Sequence, residues 1–408
     1  MTVELLTGKQ IVLGVTGSIA CYKAVDLASK LTQAGAEVEV ILTESAARFV
    51  SQMAFRSVTG RRVHGDMWDL DEHVGHVRLG ESADLLVIAP ATAHTIAKMA
   101  HGLADNLLTV TVLAARCPVL VAPAMDGGMY EHQATQTSIA LLQERDVIFA
   151  GPAEGRMASG LVGAGRLLEP LQLVGHIRRA LGRDGALAGR KVVVTAGPTR
   201  EPLDPVRFLS NRSSGKQGLA LAQASLDAGA SVTLIAGPVA EEAPVGAELV
   251  STTTAVEMRD AVVQAVDGCD VLLMAAAVSD FRPAATASHK IKKKSGIDEG
   301  LTISLGRNPD ILEAVKEVKE RTGFPKITLG FAAETQNVLE HGRGKLRRKG
   351  LDLIVVNDIS AADAGFAVKT NRVAVLSASG EVDNWPLLDK TAVAERLIDV
   401  VAELLAGK

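Results

Sequence analysis

One pattern recurs along this chain and restricts its fold more than any other. A short, continuously apolar run leads into a turn rich in glycine, serine or proline, and then into an amphipathic stretch of roughly four helical turns. In the first half the apolar runs fall at 10–15, 37–42, 84–89, 118–121 and 146–149, with helices expected near 19–34, 92–100 and 129–143. In the second half they fall at 191–196, 231–236, 270–276, 326–330 and 352–356, with helices over 215–228, 255–266, 311–320, 338–349 and 391–405. The runs are continuous rather than alternating, so both faces of each strand are covered. That calls for an α/β fold: doubly wound, mainly parallel sheets with helices on each side. Residues 372–377, followed by Ser379-Gly380, predict an antiparallel hairpin at an edge of the second sheet. Right-handed crossovers bring the strand C-termini and their loops to one edge of each sheet, where ligands bind.

At 408 residues the chain is too long for one ordinary core. The stretch 182–189 is small, glycine-rich and without periodicity, which makes it the natural linker between domains 1–185 and 186–408. Aromatic residues are only 3% of the chain, so Val, Leu, Ile and Ala must fill both cores. A net charge of −4 offers no basic surface for nucleic acid. Cys21, Cys117 and Cys269 are odd in number, lie far apart and sit in or beside apolar runs, arguing for a reducing compartment and against disulfides or structural zinc. The start MTVELLTGKQIVLGV lacks the pattern of a signal peptide, and no apolar run approaches the ~20 residues that span a bilayer, so a cytoplasmic location and no membrane partner are expected.

In the first half, strand one runs into Gly14-Val15-Thr16-Gly17-Ser18-Ile19-Ala20. A glycine turn opening a helix offers free N–H groups and the positive end of the helix dipole, which suits a phosphate. It is not the full dinucleotide fingerprint, and no phosphate-loop lysine motif occurs. Ala89-Pro90-Ala91-Thr92 and Ala122-Pro123-Ala124-Met125-Asp126 end two further strands at the ligand edge. His64, His73 and His76 lie in a segment, 64–80, that reads as irregular; their spacing lacks a zinc pattern, and His64 and His73 read as solvated loop residues. Gly155, Gly160, Gly163 and Gly165 fit a mobile lid.

In the second half, the run 195–207 and then Ser210-Asn211-Arg212-Ser213-Ser214-Gly215-Lys216 is dense in donors for an anion just before a helix. Residues 275–282 end a buried strand with Asp280 at the ligand edge, followed by Lys290-Ile291-Lys292-Lys293-Lys294, where Ile291 suggests partial packing. Asn308-Pro309-Asp310-Ile311 opens another helix; residues 330–335 end another strand; Lys345 and Lys349 are spaced to share one helix face.

Gly14-x-x-Gly17-Ser18-Ile19-Ala20, Gly75-His76, Pro90-Ala91-Thr92-Ala93 and Pro123-Ala124-Met125-x-x-x-Met129 together resemble the flavin-dependent cysteine decarboxylases, over about residues 8–180. The second half, from about 190 to 405, resembles the phosphopantothenate–cysteine ligases, in the motif order of that family; the pair is similar to the two halves of the bacterial bifunctional coenzyme A enzymes. The resemblance implies flavodoxin- or Rossmann-like sheets. It also implies FMN with its phosphate near Gly17, Ser18 and Thr43 and its ring near Ala91, Thr92 and Met129. His76 is then the base that activates the cysteine thiol while the flavin takes hydride from the adjacent carbon; carbon dioxide leaves and the hydride returns. Asp126 stands where the family has Asn, and Ser159 where many members have a proton-donating Cys; both count among the catalytic candidates. In the second half the resemblance implies CTP near Ala275, Ala276, Asp280, Lys290, Pro309, Asp310, Ile311, Leu312, Phe331, Lys345 and Lys349. Asn211 holds the activated intermediate, with Arg207 in the same substrate-contacting segment and Mg²⁺ carried by phosphate oxygens and water. The small-molecule partners implied are 4′-phosphopantothenate, cysteine and CTP, and the assembly implied is a dodecamer of decarboxylase trimers and ligase dimers.

Two other readings stay open at this stage. Asp126 and Ser159 permit an active ligase fused to a flavin-binding regulatory domain with impaired decarboxylation. Strand–turn–helix openings alone also suggest a nicotinamide oxidoreductase, which the missing dinucleotide fingerprint weakens.

Overall fold

The computed structural model describes residues 3–68, 75–156, 160, 162–292, 301–334, 338–358 and 370–407. The chain divides into two compact units, Met1–Gly182 and Arg183–Lys408. Among the described residues no helix is long and apolar enough to cross a membrane.

In the first unit, strands β1 (Gln10–Val15), β2 (Glu37–Leu42), β3 (Val63–His64), β4 (Leu85–Ala91), β5 (Val119–Pro123) and β6 (Ile148–Phe149) form a parallel sheet in the order β3-β2-β1-β4-β5-β6. Period-two geometry sends Ile11, Leu13 and Val15 of β1 into one core and Val12 into another. Helices Cys21–Gln33 and Pro170–Gly182 cover the first face, and Ala93–His101, Leu107–Ala114 and Gln133–Gln143 the second. A hairpin of β7 (Ala153–Arg156) and β8 (Val162–Arg166) stands apart from the sheet.

The second unit contains β9 (Lys191–Ala196), β10 (Arg200–Pro202), β11 (Phe208–Ser210), β12 (Ser231–Ala236), β13 (Glu248–Ser251), β14 (Val271–Met274), β15 (Phe281–Pro283), β16 (Leu305–Arg307), β17 (Ile327–Glu334), β18 (Leu353–Asp358), β19 (Thr370–Asn371), β20 (Val373–Ser377), β21 (Val382–Asn384) and β22 (Leu388–Asp389). Its main sheet runs β13-β12-β9-β14-β17-β18-β20-β21, parallel as far as β18; the last two strands are antiparallel, as the edge hairpin predicted. The remaining strands pair off as small ribbons.

In both sheets the strand order reverses beside the first strand, between β1 and β4 and between β9 and β14. These are the points where an open α/β sheet leaves a crevice beyond its strand C-termini.

Some local expectations change. The helix expected over 129–143 is two helices, Gly127–Glu131 and Gln133–Gln143, parted at His132, whose Nδ1 accepts from Ala134 N at 3.2 Å. The segment read as irregular holds β3 and a helix, Gly75–Ser82. Within the expected linker, Leu187 is fully buried in the second unit and its N–H donates to Ala228 O at 2.7 Å. Burial raises all three free thiols, Cys269 to about 12.

Candidate functional site

The first crevice is closed at its floor by hydroxyls. Thr16, buried just past β1, donates through Oγ1 to Pro90 O at 2.8 Å and accepts there from Thr92 N at 3.0 Å, stitching the turn after β1 to the end of β4. Gly17 is required by close approach: a Cβ there would lie 2.5 Å from the Cβ of Ser45. Ser18 Oγ accepts from Ala20 N at 3.3 Å as the helix Cys21–Gln33 begins. Thr43 caps Glu44–Ala47 and donates to Val15 O at 3.2 Å, and Thr92 caps Ala93–His101. Gly17, Ser18, Thr43, Ala91 and Thr92 thus stand at the C-terminal ends of β1, β2 and β4.

His76, on the helix Gly75–Ser82, is half-buried and lines a narrow cleft with Arg62, His64, Asp66 and Leu107. His64 is not the solvated loop residue the sequence suggested. It lies on β3 with its side chain 9% exposed, and its Nε2 is 3.0 Å from Glu39 Oε2. Arg61 bridges Glu39 at 2.9 Å and Glu37 at 2.7 Å. The bond from His64, then Arg61, holds the Glu39 carboxyl below its usual range in spite of burial. Burial of β3 beside β2 is what turns a loop histidine into a paired one. His73 and Ser159 lie outside the described residues. Asp126 caps Gly127–Glu131, its Oδ1 accepting from Gly128 N at 3.1 Å, so part of that carboxylate serves the backbone. Met129, one turn on, is exposed. Met125 N donates to Gly165 O at 2.9 Å, tying the turn after β5 to the base of the hairpin β7–β8.

The second crevice is wider and more highly charged. It gathers Asn211, Ala275, Ala276, Asp280, Pro309, Asp310, Ile311, Leu312, Phe331, Lys345 and Lys349 around the reversal between β9 and β14. Thr195 Oγ1 accepts from Ala276 N at 3.0 Å, and the Asn211 amide donates to Ala277 O at 3.1 Å and Val278 O at 3.2 Å, pinning Asn211 across the end of β14. The helix Lys216–Asp227 opens at Gly215, whose φ of +78° suits glycine alone, and points its N-terminus into the crevice. Gly237 is held tightest: a Cβ there would sit 1.9 Å from Pro198 O. Lys349 is buried and paired with Asp310 and, at 2.7 Å, with Glu313, so part of its charge is offset within the protein.

Arg207 and Lys290 are not among the residues lining this crevice. Arg207 is drawn to the buried carboxylate of Asp204, and Lys290 is exposed on the strap that packs against the same turn. Sequence reasoning missed a chain of side chains at the far end of the crevice. Asn357 Nδ2 donates to Asn371 Oδ1 (3.1 Å), Asn371 Nδ2 to Gln217 Oε1 (3.1 Å), and Gln217 Nε2 to Lys390 O (3.2 Å). Burial, and then Lys216, pull the Lys390 ammonium below its usual value. Among the described residues nothing donates to the buried Asn357 Oδ1. No local motif marks this chain, because its members come from distant segments. Among the described residues no cluster of three or more His, Cys, Asp or Glu could hold a metal ion.

Two families match the chain. "Flavoprotein" covers residues 2–182, and "DNA/pantothenate metabolism flavoprotein C-terminal domain" covers residues 187–405. Proteins described as coenzyme A biosynthesis bifunctional protein CoaBC are similar over nearly the whole chain. The one from Bacillus subtilis is 43% identical, covering 98% of each chain. The one from Mycobacterium tuberculosis strain H37Rv is 46% identical, covering 98% of this chain and 97% of its own. Among solved structures, the C-terminal domain of a CoaBC protein is 37% identical over 55% of this chain and 100% of its own, with a TM-score of 0.46. An FMN-dependent cysteine decarboxylase, SpaF, is 32% identical over 43% of this chain and 97% of its own, with a TM-score of 0.38.

Proposed function

The chain belongs to the family of coenzyme A biosynthesis bifunctional proteins, and on that premise we propose that it performs two consecutive steps, ligation and then decarboxylation. Residues 186–408 join 4′-phosphopantothenate to cysteine at the expense of CTP, and residues 1–185 convert the product to 4′-phosphopantetheine with FMN. The observation that carries the ligase reading is the convergence of the nucleotide candidates other than Lys290, from motifs spread between residues 275 and 349, on one crevice at the strand reversal. Similarity along the full length favours an enzyme over the regulatory alternative.

Ligation must activate a carboxylate. Phosphopantothenate attacks the α-phosphorus of CTP, pyrophosphate leaves, and an acyl-cytidylate forms; the cysteine amine then attacks the acyl carbon, and CMP leaves. Lys345 and Lys290 offset charge that builds on the phosphates, with the N-terminus of Lys216–Asp227 as a further anion cradle. Asn211, pinned to the end of β14, holds the acyl-cytidylate, and Arg207 steers phosphopantothenate. Lys349 balances Asp310 and Glu313, which would otherwise repel a triphosphate. Mg²⁺, brought in with the nucleotide, would offset the charge of its phosphates.

The first crevice suits a flavin phosphate: a glycine with no room for a Cβ, hydroxyls at three strand ends, and a helix N-terminus. When bound, FMN supplies the electron-pair acceptor that makes loss of carbon dioxide possible and afterwards returns the hydride. His76 takes the thiol proton of the substrate, Asp126 lies by its carboxylate, and Ser159 is the candidate at the position of the family's proton donor. The proposed assembly is a cytoplasmic dodecamer of decarboxylase trimers and ligase dimers.

Mass spectrometry of products from phosphopantothenate, cysteine, CTP and Mg²⁺ tests both steps at once. The expected product is 4′-phosphopantetheine. Accumulation of phosphopantothenoylcysteine on a yellow protein sinks the decarboxylase, and absence of any coupled product sinks the ligase. Lys290→Gln and Asn211→Gln are expected to slow pyrophosphate release at least ~100-fold, the scale of losing a group that stabilises charge in the transition state, with flavin retained.

A further inference from the structure

The strap that carries Lys290 is sewn to the turn at 202–207 by bonds that the nucleotide crevice does not use. Thr286 Oγ1 donates to Pro202 O at 3.1 Å, and Ala287 N to Leu203 O at 3.0 Å. At the centre is Asp204, whose side chain is fully buried. Its two oxygens divide the work. Oδ1 closes the turn, accepting from Val206 N and Arg207 N, both at 2.8 Å. Oδ2 reaches out of the turn, accepting from Arg207 Nε at 3.0 Å, Arg207 Nη2 at 2.5 Å and Ile291 N at 3.1 Å. Arg207 closes the loop of contacts by donating to Ile291 O at 2.8 Å. A buried carboxylate persists only where it is well paired, and a turn needs a single acceptor. Here Oδ2 is surplus to the turn and is spent on the residue next to Lys290. Arg207 beside it holds the Asp204 carboxyl far below the usual range, so the anion is present at every working pH.

We propose that Asp204 is a positioning residue for ligation: its Oδ2 docks the strap at Ile291 and so sets where the adjoining Lys290 stands before nucleotide arrives. The proposal rests on the role given to Lys290 above. Docking removes backbone freedom from the strap in advance, so that Lys290, exposed here outside the lining of the crevice, has only its side chain left to order when nucleotide binds.

Asp204→Asn tests it from the side of the turn, where Arg207 shares the same oxygen. The amide keeps an oxygen for the turn and sets an N–H₂ against the donors that met Oδ2. Ile291→Pro attacks the same bond from the other side, deleting the donor while leaving Asp204 intact. In the full-length protein we expect both to lower kcat for pyrophosphate release about tenfold or more, the loss that slight misplacement of a charge-stabilising group produces. KM for phosphopantothenate should stay little changed in Ile291→Pro, which leaves Arg207 paired with Asp204, and should rise in Asp204→Asn, which releases Arg207. Trypsin should cut after Lys292 faster than in the parent, while flavin content stays constant as a folding control. Adding Ile291→Pro to Lys290→Gln should cost no further kcat. Parental kcat in variants whose strap is cut faster overturns the proposal, as does an additive loss in the double variant. Full activity in Lys290→Gln alone overturns the role of Lys290, and this proposal with it.

Discussion

The two crevices sit at the same topological position and are built from opposite materials. Each lies where the strand order reverses beside the first strand of its sheet. The floor of the first is made of neutral hydroxyls bonded to backbone at the strand ends: Thr16 donates to Pro90 O and accepts from Thr92 N, Thr43 donates to Val15 O, and Thr92 accepts from Thr95 N. The second carries Lys216, Lys345, Lys349 and Lys390 against Asp280, Asp310 and Glu313. The topology therefore decides where a ligand goes, and the loops decide its charge. A flavin with one phosphate needs a close-fitting neutral cradle; a triphosphate that must lose pyrophosphate needs cations whose strength is trimmed by neighbouring carboxylates.

That contrast can be broken by packing first. Gly237→Ala forces a Cβ to 1.9 Å from a backbone carbonyl oxygen, whereas in Gly17→Ala the Cβ of Ser45 lies at 2.5 Å and its backbone no nearer than 3.1 Å. Overpacking at a rigid neighbour costs about 3 kcal/mol, near the upper end of the usual range. Calorimetry is expected to show the second unit losing more stability from Gly237→Ala than the first loses from Gly17→Ala; equal losses would mean that the first crevice is built as rigidly as the second.

Thr16→Val is the next largest. It deletes the stitch between β1 and β4 and leaves Thr92 N without its acceptor, a cost of about 1–3 kcal/mol. Flavin retention after gel filtration should fall while CTP-dependent pyrophosphate release is unchanged. Undiminished flavin would show that the hydroxyl floor is dispensable.

The smallest effect is in acid. A carboxyl whose folded value is depressed adds stability above its unfolded value, about 4.3 for Glu. That stability is lost as pH falls through the folded value. Glu39, held down by His64 and Arg61, gives the first unit such a contribution; Asp204, held down further, gives the second one that survives to lower pH. Glu39→Gln should therefore lower stability at neutral pH and converge with the parent in strong acid, measured by flavin fluorescence during urea unfolding. A constant gap at all pH values would exclude the ion pair as its source.

The strands were the most legible part of this chain because continuous apolar runs have few other uses. Those at 10–15, 37–42, 191–196 and 231–236 form where the pattern put them. The helix Leu107–Ala114 was not legible: Leu-Leu-Thr-Val-Thr-Val-Leu-Ala is apolar nearly all round and rich in β-branched residues, and it is helical through its Asn106–Thr109 capping box and its burial. Among site residues, those tied to strand ends could be read from turn chemistry. His64 could not, because its partner Glu39 is 25 residues away on a neighbouring strand. Gln217, Asn357 and Asn371 could not either, because side-chain amides become a site only once tertiary structure joins them.

The lone acceptor on Asn357 has a consequence for inhibitor design. That oxygen is buried, so a compound reaches it only by displacing a neighbour in the amide chain, and one that does so with an N–H or O–H gains a bond to an acceptor that had none, worth about 1–3 kcal/mol. An isostere with an acceptor or a methyl group at that point forfeits the gain. Selectivity for this crevice over other nucleotide sites can therefore be sought at this amide chain, which distant segments of the sequence build.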